Sequence, residues 1–562
     1  MKQLIECVPN FSEGVDITII NKIADEIQKI EGVRLLNVDP GKATNRTVIT
    51  FVGEPNSVIE AAFIAIKLAG ELIDMRKHRG EHPRMGATDV CPLIPIANIS
   101  MEETVQWSIK LAQRVGEELF IPIYLYENAQ PNKNRSNLSV IRSGEYEGFF
   151  KKIKLPEWKP DFGPSEYDAK RGATVIGARD FLIAYNVNLN TTSVRRANAI
   201  AFDVREAGRV KREGDSITGK VINDDKGNPV NIPGSLKSVK AIGWFIEEYG
   251  IAQISMNLTN INITPLHIAF DEVCKKASER GIRVTGSELV GLVPLKSLLD
   301  AGKYFLKKQQ RSSGVSEKEL ITIAIKTMGL DELSAFNPKE RIIEYLLSDN
   351  KENKLANMTL TDFVDETASE SPAPGGGSIS AYIGSLGVSL ATMVANLSSH
   401  KKGWDDKWQT YSDLAEKGQY IKTELLKLVD IDTIAFNKIM SAFALPKGNE
   451  EEKIKRKIAI QLATKFAIEI PFKVMQLSFE SLDLIKVMAE IGNPNSVSDV
   501  GVGALCARSA IMGAFLNVRI NAADFDDKNY VSEILTKGAE IERKAISIEK
   551  EILKVVDLKI KV

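Results

Sequence analysis

The chain has 562 residues, 26% of them charged and 44% hydrophobic, with 73 basic against 74 acidic side chains. That length exceeds what one hydrophobic core supports, so two or three domains are expected, and the near-zero net charge excludes generic nucleic-acid binding through an overall positive field. Cys7, Cys91, Cys274 and Cys506 form no Cys-x-x-Cys pair, and Glu6 stands where a signal peptide needs an apolar run, so reduced thiols and a cytoplasmic location are expected.

The first segment reads strand, helix, strand, strand, helix, strand: Leu4 to Val8, Val15 to Ile30, Val33 to Val38, Thr47 to Val52, Asn56 to Lys77 and Val90 to Ile96. This is the split βαβ order. Ile19, Ile23, Ile27 and Ile30 recur at helical spacing. Ser100 with Glu103 is a capping-box signal for a helix to about Leu119, and a strand follows at Ile121 to Tyr126. A second pass of similar order starts at Phe181: strand to Leu189, helix Ser193 to Ala207, strands Val239 to Glu247 and Ala252 to Asn257, helix Pro265 to Arg280, strand Ile282 to Thr285. Between the passes, Trp158 to Gly177 carries Pro and Gly, and Lys211 to Gly234 is a polar, turn-rich excursion.

Helices near Leu298 to Gln309, Glu317 to Met328 and Lys339 to Leu347 lead into the polar string SDNKENKLAN. From Leu360 onward the pattern is helical, broken at Pro372 to Gly377, Pro446 to Gly448 and Gly492 to Pro494. The expected architecture is multidomain: α+β, with two duplicated ferredoxin-like βαββαβ subdomains, followed by an all-α helical bundle. Its boundaries are 1–180, 181–330, a linker at 331–357 and 358–562. Ile379 to Leu397 runs without a charge, about the length that spans a bilayer. Its serines and glycines favour close helix packing inside a bundle, so no membrane span is expected.

Two of the four histidines, His78 and His82, fall in DMRKHRGEHPRMGATDVCP. His78-Arg-Gly-Glu81-His82 matches the His-x-x-Glu-His pattern of a zinc peptidase class, but Gly80 and Pro83 oppose the helix that pattern requires. The alternatives are a loop whose histidines satisfy backbone groups and a catalytic loop. Cys91, in the apolar, Pro-flanked VCPLIP, reads as a buried thiol rather than a nucleophile.

VPNFSEG at Val8 to Gly14, DPGKATNRT at Asp39 to Thr47 and GEHPRMGATDVCPLIP at Gly80 to Pro95 together resemble the transferase part of the formimidoyltransferase-cyclodeaminase family. The resemblance implies His82 as the catalytic histidine. Formimidoyl transfer between two amines passes through a tetrahedral adduct, and an imidazole can take the proton from the attacking N5 of tetrahydrofolate and deliver one to the departing nitrogen. Asp39 is a candidate to orient the imidazole or bind the amidinium, and Arg46 to clamp a substrate carboxylate, against readings as a turn-capping Asp and a surface Arg. DFGPSEYDAKRGATVIGARDFLIA, Asp161 to Ala184, resembles the family's folate-contacting segment. That carries over Gly163, Pro164, Ser165, Glu166, Tyr167, Asp168, Ala169, Lys170, Arg171 and Gly172.

In SPAPGGGSISA, Gly375, Gly376, Gly377 and Ser378 precede a long helix, and two readings stand: backbone N–H groups that receive an anionic group, or a tight turn that lets helices approach closely. A nucleotide loop is not indicated, because no Gly-Lys-Ser/Thr follows. PAPGGGS, VDIDTIAF at Val429 to Phe436, LPK at Leu445 to Lys447, and the GN followed by Ser498-Asp499 resemble the family's cyclodeaminase part, with Asp432 matching its catalytic aspartate. Asp430, two residues away, points in a different helical direction and is expected to be solvated or capping, with Asp499 a second polar contact. The resemblance covers nearly the whole chain. It implies transfer from N-formimidoyl-L-glutamate to tetrahydrofolate, then closure to 5,10-methenyltetrahydrofolate with loss of ammonia, in histidine degradation. It further implies polyglutamylated folate as co-substrate, no metal, and a homo-oligomer, an octamer built from dimers.

Overall fold

The computed structural model describes residues 3–42, 44–80, 83–214, 219–347 and 354–560. They form two compact units, Met1–Ser297 with Met328–Leu347, and Leu298–Thr327 with Ser348–Val562.

The first unit opens with β1 (Leu4–Cys7), α1 (Ile17–Gln28), β2 (Val33–Gly41), β3 (Arg46–Gly53), α2 (Pro55–Leu72) and β4 (Thr88–Ala97). β1 lies between β3 and β4, antiparallel to both, and β2 pairs outside β3. The same order returns in β7 (Ile183–Leu189), α4 (Val194–Val204), β8 (Val239–Ile246), β9 (Ile251–Leu258), α5 (Leu266–Ser278) and β10 (Val284–Val290). There β7 lies between β9 and β10 and β8 pairs outside β9. Both passes therefore place their first strand in the middle, the ferredoxin-like arrangement the periodicity predicts.

The first sheet is wider than the sequence suggests. After α3 (Met101–Glu118), capped by the expected Ser100–Glu103 box, come β5 (Ile123–Glu127) and β6 (Thr174–Ala178), with β6 parallel to both β4 and β5. All five residues of β6 are buried, so its sequence shows no polar alternation to mark it, and it lies where a Pro- and Gly-bearing connection is read. β10 runs five residues past the predicted Thr285, with its register shifting between Val284 and Gly286. At the base of the excursion, Arg209–Val210 just before it pairs with Asn231–Ile232 as a short antiparallel ribbon.

Residues 331–347, read as linker, are packed: Val293 N–H donates to the Arg341 carbonyl at 2.9 Å, and Ile342 and Ile343 are buried. Two helices, α6 (Leu295–Lys308) and α7 (Glu317–Met328), carry most of the segment that clusters with the second unit.

The second unit is built on α8 (Gly376–Ser399), α9 (Trp408–Phe443), α10 (Glu450–Ile491), α11 (Val497–Ala522) and α12 (Lys528–Lys559). The three breaks read from Pro and Gly are present, and two further ones, at 400–407 and 523–527, are not among those predicted. Gly376–Ser399 and Pro494–Ala522 are long and apolar enough to cross a membrane by length and composition, yet Ala381, Val388, Ala391, Val394, Val500, Ala504 and Ile511 sit in one buried cluster. They are core helices. The hydroxyls of α8 bond back to its own carbonyls: Ser380 to Gly376, Ser385 to Tyr382, Ser389 to Ser385, Thr392 to Val388 and Ser398 to Val394, all at 2.6–2.7 Å. Most hydroxyls of this polar helix are thereby satisfied on burial, with Ser399 Oγ the exception.

Candidate active sites

Asn45 ties the three N-terminal motifs together. Its Oδ1 accepts from Gly14 N–H at 2.9 Å, its Nδ2 donates to the Arg79 carbonyl at 2.7 Å, and its own carbonyl lies 2.8 Å from His78 Nε2. The loops approach so closely that a Cβ on Gly80 would stand 2.3 Å from the Thr44 carbonyl oxygen. Only glycine fits there.

His78 is the bland histidine of the pair. Arg84 Nε donates to its Nδ1 at 3.2 Å, which puts the ring proton on Nε2, facing the Asn45 carbonyl. Both nitrogens are committed, and α2 ends at Leu72, well before the His-x-x-Glu-His string. The zinc reading thus loses its first ligand and its helix. Arg84 is itself buried and forks onto Glu147 at 2.9 and 2.6 Å. The stretch flanking residues 81–82 is braced on both sides, while His82 and Glu81 lie outside the described residues.

The open faces of the two sheets border a cleft of about 810 Å³, with Asp39, Arg46 and Arg142 on one side and Lys240 and Asn257 on the other. Arg46 is no surface arginine. Its Nε and Nη2 donate to Asn10 Oδ1 at 3.0 and 2.6 Å, and its Nη1 to Asp89 at 2.9 Å. Asp89 is fully buried and also holds Arg142 and the Met85 N–H. Burial pulls Arg46 down to about 10, Asp89 opposing the shift. One carboxylate therefore sets two guanidinium groups at the cleft edge. Asp89→Asn strips their counter-charge and is expected to destabilise the chain by about 3–5 kcal/mol, read as a lower urea midpoint for its first transition. An unchanged midpoint would refute that role.

The Gly163–Gly172 segment does not border this cleft. It packs behind the histidine loop: Met75 N–H donates to the Lys170 carbonyl at 2.9 Å and Ala87 N–H to the Arg171 carbonyl at 2.8 Å. Arg171 donates to the Leu119 carbonyl at 2.6 Å, Lys170 to the Glu71 carbonyl at 2.8 Å, and Asp168 pairs with Arg171. Tyr167 packs among Tyr146, Phe149 and Phe150 with ring centroids 5.9–6.2 Å away.

In the helical unit the glycine string meets Asp432. Ser378 N–H donates to Asp432 Oδ2 at 2.9 Å, and Ser378 Oγ stands 3.1 Å from the same oxygen and 2.8 Å from the Val429 carbonyl. The anion that this helix start receives is thus the chain's own carboxylate. Burial raises the Asp432 pKa, with the Ser378 bonds opposing. A Cβ on Gly377 would lie 2.2 Å from Asp432 Oδ1, so Gly377→Ala must displace the carboxylate. It is expected to cost about 1–3 kcal/mol and most of the ring-closing rate, measured with added 5-formimidoyltetrahydrofolate.

Asp430 is not solvated. It is buried and accepts from Leu355 N–H at 2.9 Å and Ala356 N–H at 3.1 Å, anchoring the segment before the bundle. Asp499 is not brought to Asp432 within the chain. Gly376 abuts Asn517, and Asp499 lies 18 residues before Asn517 in α11, about 27 Å along a helix at its usual rise.

Sequence reasoning missed Glu6, Asn10, Asp89 and Arg142. The signal for two of them was present: a carboxylate inside an apolar strand, LIEC or TDVCPLIP, needs a partner or a function. Cys91, by contrast, alternates away from the cleft, buried 3.4 Å from Cys7 Sγ.

Comparison with known proteins agrees along the chain. Residues 4–179 match the family described as the formiminotransferase domain, N-terminal subdomain, residues 184–348 the formiminotransferase domain, and residues 359–540 formiminotransferase-cyclodeaminase. The formimidoyltransferase-cyclodeaminase of Gallus gallus is 43% identical over 95% of each chain, and that of Dictyostelium discoideum 43% identical over 99% of each. A glutamate formimidoyltransferase of Thermoplasma acidophilum is 44% identical over 54% of this chain and 92% of its own. With similarity running through both units at such identity, the chain belongs to the formimidoyltransferase-cyclodeaminase family.

Proposed function

We propose that the chain carries out two consecutive reactions on one folate: formimidoyl transfer from N-formimidoyl-L-glutamate to N5 of tetrahydrofolate, then closure to 5,10-methenyltetrahydrofolate with release of ammonia. This places it in histidine degradation and one-carbon metabolism. Transfer is assigned to residues 1–330 and closure to 358–562. His82 takes the N5 proton and returns one to the departing glutamate nitrogen. Arg46 and Arg142, steadied by Asp89, offer the cleft edge to the donor's carboxylates, and Asp39 faces its amidinium. In ring closure N10 bonds to the formimidoyl carbon and the C–N bond to ammonia breaks. Asp432 takes the N10 proton and passes it to the leaving nitrogen.

The observation that carries this reading is the Asp432 carboxyl, half-buried, pushed up in pKa and fixed by Ser378. A carboxyl so poised holds its proton to higher pH than an ordinary aspartate. Purified chain supplied with both substrates should accumulate the methenyl chromophore. Failure to form it from either the complete mixture or added 5-formimidoyltetrahydrofolate would refute the assignment.

The finer features follow the family reading: polyglutamylated folate, no metal, a cytoplasmic location supported by four free thiols, and a homo-oligomer, an octamer of dimers. Exposed apolar side chains on the helical unit support assembly, among them Ile454, Ile458 and Leu462 on α10 and Leu516 and Ile520 on α11.

A further inference from the structure

The cleft floor holds a carboxylate that neither reaction step above uses. Alternation along β1 turns Ile5 and Cys7 into the helix-covered core and Glu6 toward the cleft, in line with Val8 and Asn10. Glu6 is only 2% exposed. Among the described residues its carboxyl receives no hydrogen bond and forms no ion pair; Arg179 acts on it only through space. Burial raises its pKa to about 7. A carboxyl kept buried without partners in an open cleft is disfavoured in the empty protein and suited to a ligand that brings its own donors.

We infer that Glu6 binds the pyrimidine edge of the tetrahydrofolate pterin, its two oxygens accepting from N3–H and the 2-amino group. The inference rests on the folate reading above. A planar N–C–N fork with two N–H donors also occurs in the donor's amidinium, and position decides between them. Glu6 stands opposite Val52 and Ile94, whereas Asn10 stands opposite Val48 and Val90, a step of four residues on both neighbouring strands. At strand rise that is about 13 Å, room for a bicyclic ring with protein groups at either end. With the pyrimidine edge on Glu6, N5 points toward the Asn10–Arg46 end, where the carboxylate-binding arginines are. An amidinium on Glu6 would strand the reacting carbon away from them.

The test is Glu6→Gln in the full chain, which keeps the shape and removes one acceptor. The KM for tetrahydrofolate should rise about tenfold or more, with the KM for formimidoylglutamate and ring closure of added 5-formimidoyltetrahydrofolate unchanged. Binding of the unreactive 5-formyltetrahydrofolate, followed by fluorescence quenching, should weaken equally, and Glu6→Asp should recover part of the loss. Wild-type affinity for this probe should fall as pH drops through about 7, because the ionised carboxyl is the acceptor. Arg179, Tyr126, Glu127, Asp180 and Lys240 share this end of the cleft; the slope should persist in Glu127→Gln and vanish in Glu6→Gln. Equal probe binding by wild type and Glu6→Gln, or a rise confined to the formimidoylglutamate KM, would overturn the inference. Wild-type chain that binds the probe without transferring would instead refute the donor reading and leave the Glu6 contact standing.

Discussion

Asp432→Asn is expected to reduce ring closure by about a hundredfold or more while formimidoyl transfer continues at the parental rate. The amide oxygen still accepts from Ser378 N–H, so the loop and the start of α8 keep their shape. What disappears is the proton carrier between N10 and the leaving nitrogen. Stability should not suffer. Burial raises the Asp432 pKa in the folded chain, so folding favours the protonated form, and the stability this group contributes is lost as pH rises through its folded pKa. Asparagine has no such loss, so the variant should match the parent in acid and equal or exceed it at neutral pH. Supplying 5-formimidoyltetrahydrofolate and following methenyl absorbance checks the rate. Retained closure, or transfer lost alongside it, would sink the assignment.

His82→Ala should give the mirror image, with transfer down by roughly a hundred to ten thousandfold and closure of added 5-formimidoyltetrahydrofolate intact. The described residues on either side of 81–82 are held by other groups. Asn45 and His78 hold one side and Arg84 with Glu147 the other. His78→Ala makes the useful contrast, since it removes a buried anchor and should lower stability and transfer together. If His82→Ala lowered the unfolding midpoint as much as His78→Ala, the catalytic role would have to move elsewhere.

Much of this architecture was legible in the residues. Period-two and period-3.6 patterns found both ferredoxin-like passes, because one face of each element is buried and the other is not. β6 escaped because both its faces are covered, which erases the alternation. At the sites, motif resemblance singled out Asp432, but only the fold shows that Gly377 and Ser378 serve the aspartate itself. Asp39 and Arg46 reach one cleft, whereas Asp499 lies far along its helix from Asp432. Sequence distance could not separate these cases, since helix direction and strand register decide them. Glu6 and Asp89 were overlooked because a lone acid in an apolar strand was counted with its neighbours rather than asked what it pairs with.

The back-bonded hydroxyls of α8 matter before the bundle exists. As the chain leaves the ribosome this segment is charge-free and long enough to be taken for a membrane anchor. Five side-chain hydroxyls make it a poor one while the chain is extended and hydrated. Once the helix forms, each finds a carbonyl about one turn back, and the same groups cease to hinder burial. The helix is thus wet enough to stay out of a bilayer during synthesis and self-satisfied enough to become a core.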